Sequence, residues 1–216
     1  MSQNHPRTKG EQTRLAILET AKKLFLNQGY AATSMRKIAQ AVGITPAAIY
    51  NHFAGKEEIF TTLLQDAAPY EQLFELFEAT EVETAESLLR QVIHGMVQLI
   101  SDHEDYILLG LVDAQERDGA TLITFLPQLF PRFMAFYQRL AALDAEQGRL
   151  RDIPPFVFTR TLISLIAGYL ITERVAKPVK TLNLPEIDWV ESIGDIFLHG
   201  VLKPTEEPID GYSHSN

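Results

Sequence analysis

The sequence predicts an all-α fold of about nine helices, and three observations carry that prediction. Apolar residues recur at the helical spacing along nearly the whole chain. No run alternates apolar and polar residues between hairpin turns. Glycines and prolines fall where such helices would end or begin. The 216 residues are 46% hydrophobic and 22% charged, an ordinary balance for a chain that buries a real core.

The elements follow in order. Ile17, Leu18, Ala21, Leu24 and Phe25 form one stripe of a first helix, which stops at Gly29. Met35, Ile38, Ala39 and Val42 repeat the stripe on a shorter helix, with Ser34 placed as its N-cap and Gly43 where a left-handed residue is wanted. Thr45-Pro46 reads as the N-cap and first-turn proline of a third helix ending near Phe53, anchored by Ile49 and Phe53. A fourth helix is expected from Lys56 to about Phe77, with Glu57 and Glu58 in its first turn and Ile59, Phe60, Leu63 and Leu64 on its buried face. Leu88 to Ile100 carries a regular stripe, and Tyr106 to Val112 is apolar all round, which predicts burial on every side. Phe125 to Leu143 is helical and stops at Gly148; Pro154-Pro155 opens a helix running to about Val175. Asp188 and Glu191 cap a last helix through Trp189, Ile193, Ile196, Phe197 and Val201. The polar ends, residues 1–10 and 203–216, are expected to be disordered.

Charge divides the chain unevenly. Residues 1–56 hold eight basic side chains against Glu11 and Glu19, a net +6, whereas the remainder is net −15, giving −9 for the whole. A basic head on an acidic body fits an electrostatic footprint confined to one module. The absence of cysteine excludes disulfides and thiolate metal sites. Thr161–Thr172, the most apolar stretch, spans about a dozen residues where a membrane helix needs roughly twenty, and the polar N-terminus lacks a secretory signal. The expectation is a soluble, cytoplasmic protein with no membrane partner.

Two short helices joined by a tight turn at Gly43 match the helix-turn-helix pattern, in which the second helix enters the major groove and the first braces it. The residues sharpen the match: Arg14, Ile17-Leu18, Ala21, Leu24-Phe25, Gly29-Tyr30, Thr33-Ser34-Met35, Ile38-Ala39, Gly43-Ile44-Thr45, Ile49-Tyr50-Asn51-His52-Phe53 and Lys56-Glu57. Over Arg14 to Ile59 the chain closely resembles the DNA-binding domain of the TetR family of bacterial transcriptional regulators. It departs from the family at Ala47, where glycine is frequent, and at Lys37, where an acidic residue often completes a capping box. The resemblance implies a DNA-binding domain at 11–56, an effector-binding and dimerisation domain at 57–202, and no cofactor. It implies phosphate contacts from Thr33, Ser34, Thr45, Tyr50, His52 and Lys56, and a base or phosphate contact from Arg36. Pro46, Ala47, Ala48 and Asn51 would face the groove, Asn51 being suited to adenine and the alanines to a thymine methyl.

For the body, the resemblance implies a small effector and a homodimer built on the last two helices. The candidate interface is Leu162, Leu165, Ile166, Tyr169 and Leu170 with Trp189, Ile193, Ile196 and Phe197. The twofold would read an imperfect palindrome in double-stranded DNA. Phe125, Phe130, Phe133, Tyr137 and Phe158 are candidates for an apolar effector pocket, or else simply core, and the effector is expected to be hydrophobic or amphipathic. Asp113, Glu116 and Asp118, with Arg117 among them, read as a solvated helix end rather than a site for a cationic ligand. An enzyme is disfavoured: the six histidines are scattered, and no His-Glu-x-x-His or Glu-x-x-His pair occurs. The expected function is therefore a dimeric, ligand-released repressor, the alternative being a ligand-binding helical protein that does not read DNA.

Overall fold

The computed structural model describes residues 8–78, 82–176 and 187–204. Among the described residues the chain forms ten α-helices and one 3-10 turn, and no strand. The helices are α1 (Lys9–Gln28), α2 (Met35–Val42), α3 (Pro46–Ile49), α4 (Lys56–Ala67), α5 (Tyr70–Glu78), α6 (Ala85–Asp102), α7 (Glu104–Glu116), α8 (Leu126–Leu143), α9 (Pro155–Ala176) and α10 (Trp189–Val201), with the 3-10 turn at Leu122–Phe125. The count exceeds the expected nine because the fourth helix is two. Pro69 cannot donate to a helical hydrogen bond and disfavours helical backbone at the residue before it. Ala68 accordingly turns extended, at φ −75° and ψ 120°, and α4 ends there.

Two compact units result: residues up to Tyr70 with Ile100–Leu129, and Glu71–Leu99 with residues from Phe130 onward. The first unit thus takes in α4, α7 and the 3-10 turn beside the segment expected to read DNA. Its core is built on the predicted stripes. Ile17, Ala21 and Phe25 of α1, Ile38 and Ala39 of α2, Ile49 of α3, Phe53, and Ile59, Phe60 and Leu64 of α4 are essentially inaccessible. Each such large side chain contributes roughly 1.5–3 kcal/mol by leaving water. Phe25, Tyr30 and Phe60 form a mutual ring contact, with centroids 5.2–5.6 Å apart. Leu109 of α7 completes this core, but the run Tyr106–Val112 is not buried all round: only Leu109 is fully enclosed and Leu111 faces solvent. The first helix starts within the segment expected to be disordered. Thr8 caps α1 in a reciprocal box with Glu11, so Lys9 and Gly10 are helical rather than disordered; residues 1–7 lie outside the described residues.

In the second unit an aromatic row runs from Phe77 to Phe133 and Phe136, then through Phe158 to Tyr137 and Phe197. This row is packed core. Of the candidate effector-pocket residues, Phe133 and Phe158 are buried in it, and Tyr137 donates its hydroxyl to the Ile153 carbonyl (2.8 Å). Phe130 is 53% exposed, and Phe125 belongs to the first unit, against Tyr70. A cavity of about 780 Å³ in this unit is lined instead by polar residues, among them Thr84, Glu86, Arg90, Arg149 and Lys203. Arg90 ties α6 to α10 through Glu191 (2.5 Å) and Asp195 (2.7 Å). Leu150 and Leu202 form an antiparallel bridge, and the Lys203 N–H donates to the Arg149 carbonyl (2.7 Å), which orders the first tail residues; residues 205–216 lie outside the described residues.

The candidate dimer interface needs correction by face. Leu162, Ile166 and Phe197 are buried inside their own subunit at 5% exposure or less, so they are core rather than contact surface. Leu165, Tyr169, Leu170 and Ile193 are half-buried. Of the candidates, Trp189 and Ile196 of α10 stay in solvent, as do the neighbouring Phe156, Val157, Ile163, Ile171 and Val175 of α9. By length and composition α9 would also suffice to cross a membrane over Pro155–Val175, a longer apolar stretch than the dozen residues expected.

Candidate nucleic-acid interface

The head's outer surface is prepared by two helix starts. Ser34, at φ −130° and ψ 155°, caps α2 by accepting from the Lys37 N–H (3.2 Å). Lys37 completes no capping box; its ammonium turns back to the Ala32 carbonyl (2.8 Å) and ties down the preceding loop. Gly43 closes α2 in the left-handed region (φ 81°, ψ 27°), and the Ile44 N–H reaches back to the Ala39 carbonyl. Only a residue without Cβ takes that conformation at little cost. Thr45 then caps α3, its hydroxyl accepting from the Ala48 N–H (3.1 Å), and Pro46 fills the first turn. The regular part of α3 is short. The Asn51 and His52 N–H groups bond three residues back and that of Phe53 four back, which tightens the turn to Phe53. Arg14 covers the Phe53 ring at 4.7 Å.

The expected DNA contacts separate into two sets. Ser34, Arg36, Thr45, Pro46, Ala47, Tyr50 and Asn51 are exposed, Tyr50 by 56%, although an aromatic of this size usually packs. Ala48 and His52 are half-buried at the edge of this surface. Thr33 and Lys56 depart from expectation. Thr33 is 1% exposed; its hydroxyl donates to the Gly29 carbonyl (2.8 Å) and accepts from Gln28 (3.0 Å), so it braces the loop rather than meeting a phosphate. Lys56 points its ammonium inward, donating to the carbonyls of Tyr30 (2.6 Å) and Thr33 (2.9 Å), 3.9 Å above the Tyr30 ring. Burial lowers the pKa of this ammonium, the nearby Glu116 carboxylate opposing the shift. Burial likewise raises that of the Tyr30 phenol.

A third group sits where sequence reasoning saw only a solvated helix end. Asp113 is fully buried. Its carboxylate accepts from the N–H groups of Thr121 and Leu122 (both 3.0 Å) and pairs with Arg117 (3.2 Å). The Arg117 side chain is 7% exposed, lies 4.8–4.9 Å from the Tyr30 and Phe60 rings, and pairs with Glu57 (3.0 Å). Glu116 accepts from the Ala31 N–H (2.6 Å). The spacing of Asp113 and Arg117, four apart on one helix face, was the signal that could have found this pair. What it would pack against was not legible.

A compact three-helix core presenting two capped helix starts and an exposed Tyr50–Asn51 corner is the architecture of a helix-turn-helix DNA-binding protein. Comparison with known proteins agrees. Residues 17–63 match the family model "Bacterial regulatory proteins, tetR family". The chain is similar to the transcriptional repressor AcnR of Corynebacterium efficiens, 30% identical over 187 residues that cover 83% of this chain and 91% of that protein. Among solved structures it is similar to NalD of Pseudomonas aeruginosa, the secondary repressor of the MexAB-OprM multidrug efflux pump (TM-score 0.62, 27% identity, 91% of this chain and 99% of that one). It is also similar to PfmR of Thermus thermophilus (TM-score 0.58, 25% identity, 85% and 97%). The chain belongs to the TetR family of bacterial regulatory proteins, and it is a TetR-like transcriptional regulator.

Proposed function

We propose that this regulator is a cytoplasmic repressor that binds a palindromic operator as a homodimer and leaves it when a small hydrophobic or amphipathic molecule binds the body. The observation that carries the reading is the exposed row of Thr45, Pro46, Ala47, Tyr50 and Asn51 on a rigid, fully packed head. Hydroxyls and the phenol suit phosphates, and the small side chains let the helix approach base edges. The apolar side chains left in solvent on α9 and α10 support a twofold partner, because a patch of this kind on a soluble protein marks an interaction surface. They also account for α9 without a membrane. The small molecule must favour the released state, since equal affinity for both states would shift nothing.

Selecting operator sequences from a random duplex pool with the purified protein tests the reading. A palindromic consensus, bound with a steep salt dependence, is the expected result. Tyr50→Ala should weaken that binding by about tenfold or more, the scale of a hydrogen bond to a charged group. Enrichment of no sequence, with equal binding to random DNA by both proteins, would refute it.

A further inference from the structure

The loop Gly29–Thr33 leads directly into Ser34 and the start of α2, so its position sets where that helix start meets the DNA backbone. Gly29 holds φ +85° and ψ 169°, a backbone region essentially restricted to glycine, and a Cβ there would also strike the Glu116 carboxylate. The loop is then fastened by long-range contacts. Lys56 holds two of its carbonyls, Arg117 covers the Tyr30 ring, and Glu116, eighty-five residues away in sequence, accepts from the Ala31 N–H. Glu116 is exposed and has no part in the buried core. Ala31 and Ala32 are exposed as well, so without the carboxylate the Ala31 N–H would face water.

We propose that the last turn of α7 is a clip on the α1–α2 loop, and that Glu116 is a positioning residue for operator binding. It acts through Ala31 and touches no DNA itself. The inference rests on the operator-binding reading. On the side of the head that meets phosphates the charge of a carboxylate only opposes binding, so any help Glu116 gives must come through its hydrogen bond to the Ala31 N–H.

Two variants separate the charge from the bond. Glu116→Gln and Glu116→Ala both remove the negative charge, but only Gln keeps an acceptor for the Ala31 N–H. Binding to the duplex selected by the wild-type protein is measured across a salt series. Gln is expected to bind as well as wild type or better, and Ala about threefold to tenfold more weakly than Gln, the scale of one hydrogen bond. The salt slope should be the same for all three proteins, since no phosphate contact is lost. Hydrogen exchange at the Ala31 amide should be fast in Ala alone, with thermal unfolding unchanged. Equal operator affinity for Ala and Gln would overturn the clip while leaving the regulator reading intact. A wild-type protein that selects no sequence would overturn both.

Discussion

Replacing Asp113 with alanine should cost the first unit about 3–5 kcal/mol, although the residue touches neither DNA nor the surface. The magnitude follows from what the carboxylate serves. It is fully buried and accepts from two backbone N–H groups, those of Thr121 and Leu122. Leaving a buried donor unpaired costs roughly 1–3 kcal/mol. It is also the enclosed counter-charge of Arg117, whose other carboxylate, Glu57, is largely solvated and worth little. Removing one partner of a buried ion pair costs about 3–5 kcal/mol, and the surviving bond from Arg117 to the Thr121 hydroxyl (2.5 Å) keeps the total within that range. Asp113→Asn keeps an oxygen for the N–H groups and loses only the charge, so it should fall between wild type and alanine. Urea unfolding followed by circular dichroism measures all three, and a shifted midpoint at constant slope is the expected form. Domains of this kind are stable by about 5–15 kcal/mol, so the loss is a large share of the total. Alanine and asparagine both lying within about 1 kcal/mol of wild type would mean that the buried network does not hold the head together.

Two further outcomes are expected. If α9 and α10 form the proposed twofold, Ile196→Glu, at a site 70% exposed, should leave the fold intact but weaken dimerisation by on the order of a hundredfold, because an unpaired carboxylate would be buried between subunits at a cost of about 3 kcal/mol or more. Sedimentation velocity reads this directly, and a dimer that persists at low micromolar concentration would place the twofold elsewhere. The second concerns alkaline pH. Tyr70 and Tyr106 share a hydrogen bond of 2.7 Å, and burial pushes both phenols above their ordinary range. Above about pH 10 the unfolded chain therefore loses these protons first, the folded state binds more of them, and stability falls as pH rises. Tyr70→Phe should flatten the decline of the urea midpoint between about pH 9 and 11; an identical decline in both proteins would assign it to other groups.

Much of the head could be read in the chain because its determinants are local. Ser34, Gly43, Thr45 and Pro46 act within one turn of themselves, so their types and spacing specify α2, the turn and α3 without reference to the rest of the molecule. The stripes through Ile17–Phe25 and Met35–Val42 likewise become the core of the first unit. The break between α4 and α5 had a local cause in Pro69, which the apolar pattern running through it concealed.

What the sequence by itself determined is the all-α class, the capped starts of α2 and α3 and the family; what tertiary structure decided is which face of each element is spent internally. Periodicity marks an apolar stripe, but α9 is apolar on several sides, and only packing assigns Leu162 and Ile166 to the core and Ile163 and Val175 to solvent. Thr33 and Lys56 have the chemistry of phosphate ligands, and the loop's own carbonyls take them. The polar end of α7 has the composition of a solvated terminus, yet Asp113 and the Arg117 side chain are enclosed because the Thr121 and Leu122 N–H groups and the Tyr30 and Phe60 rings meet them there. Each of these outcomes is fixed by contacts between residues far apart in the chain, which no local pattern encodes.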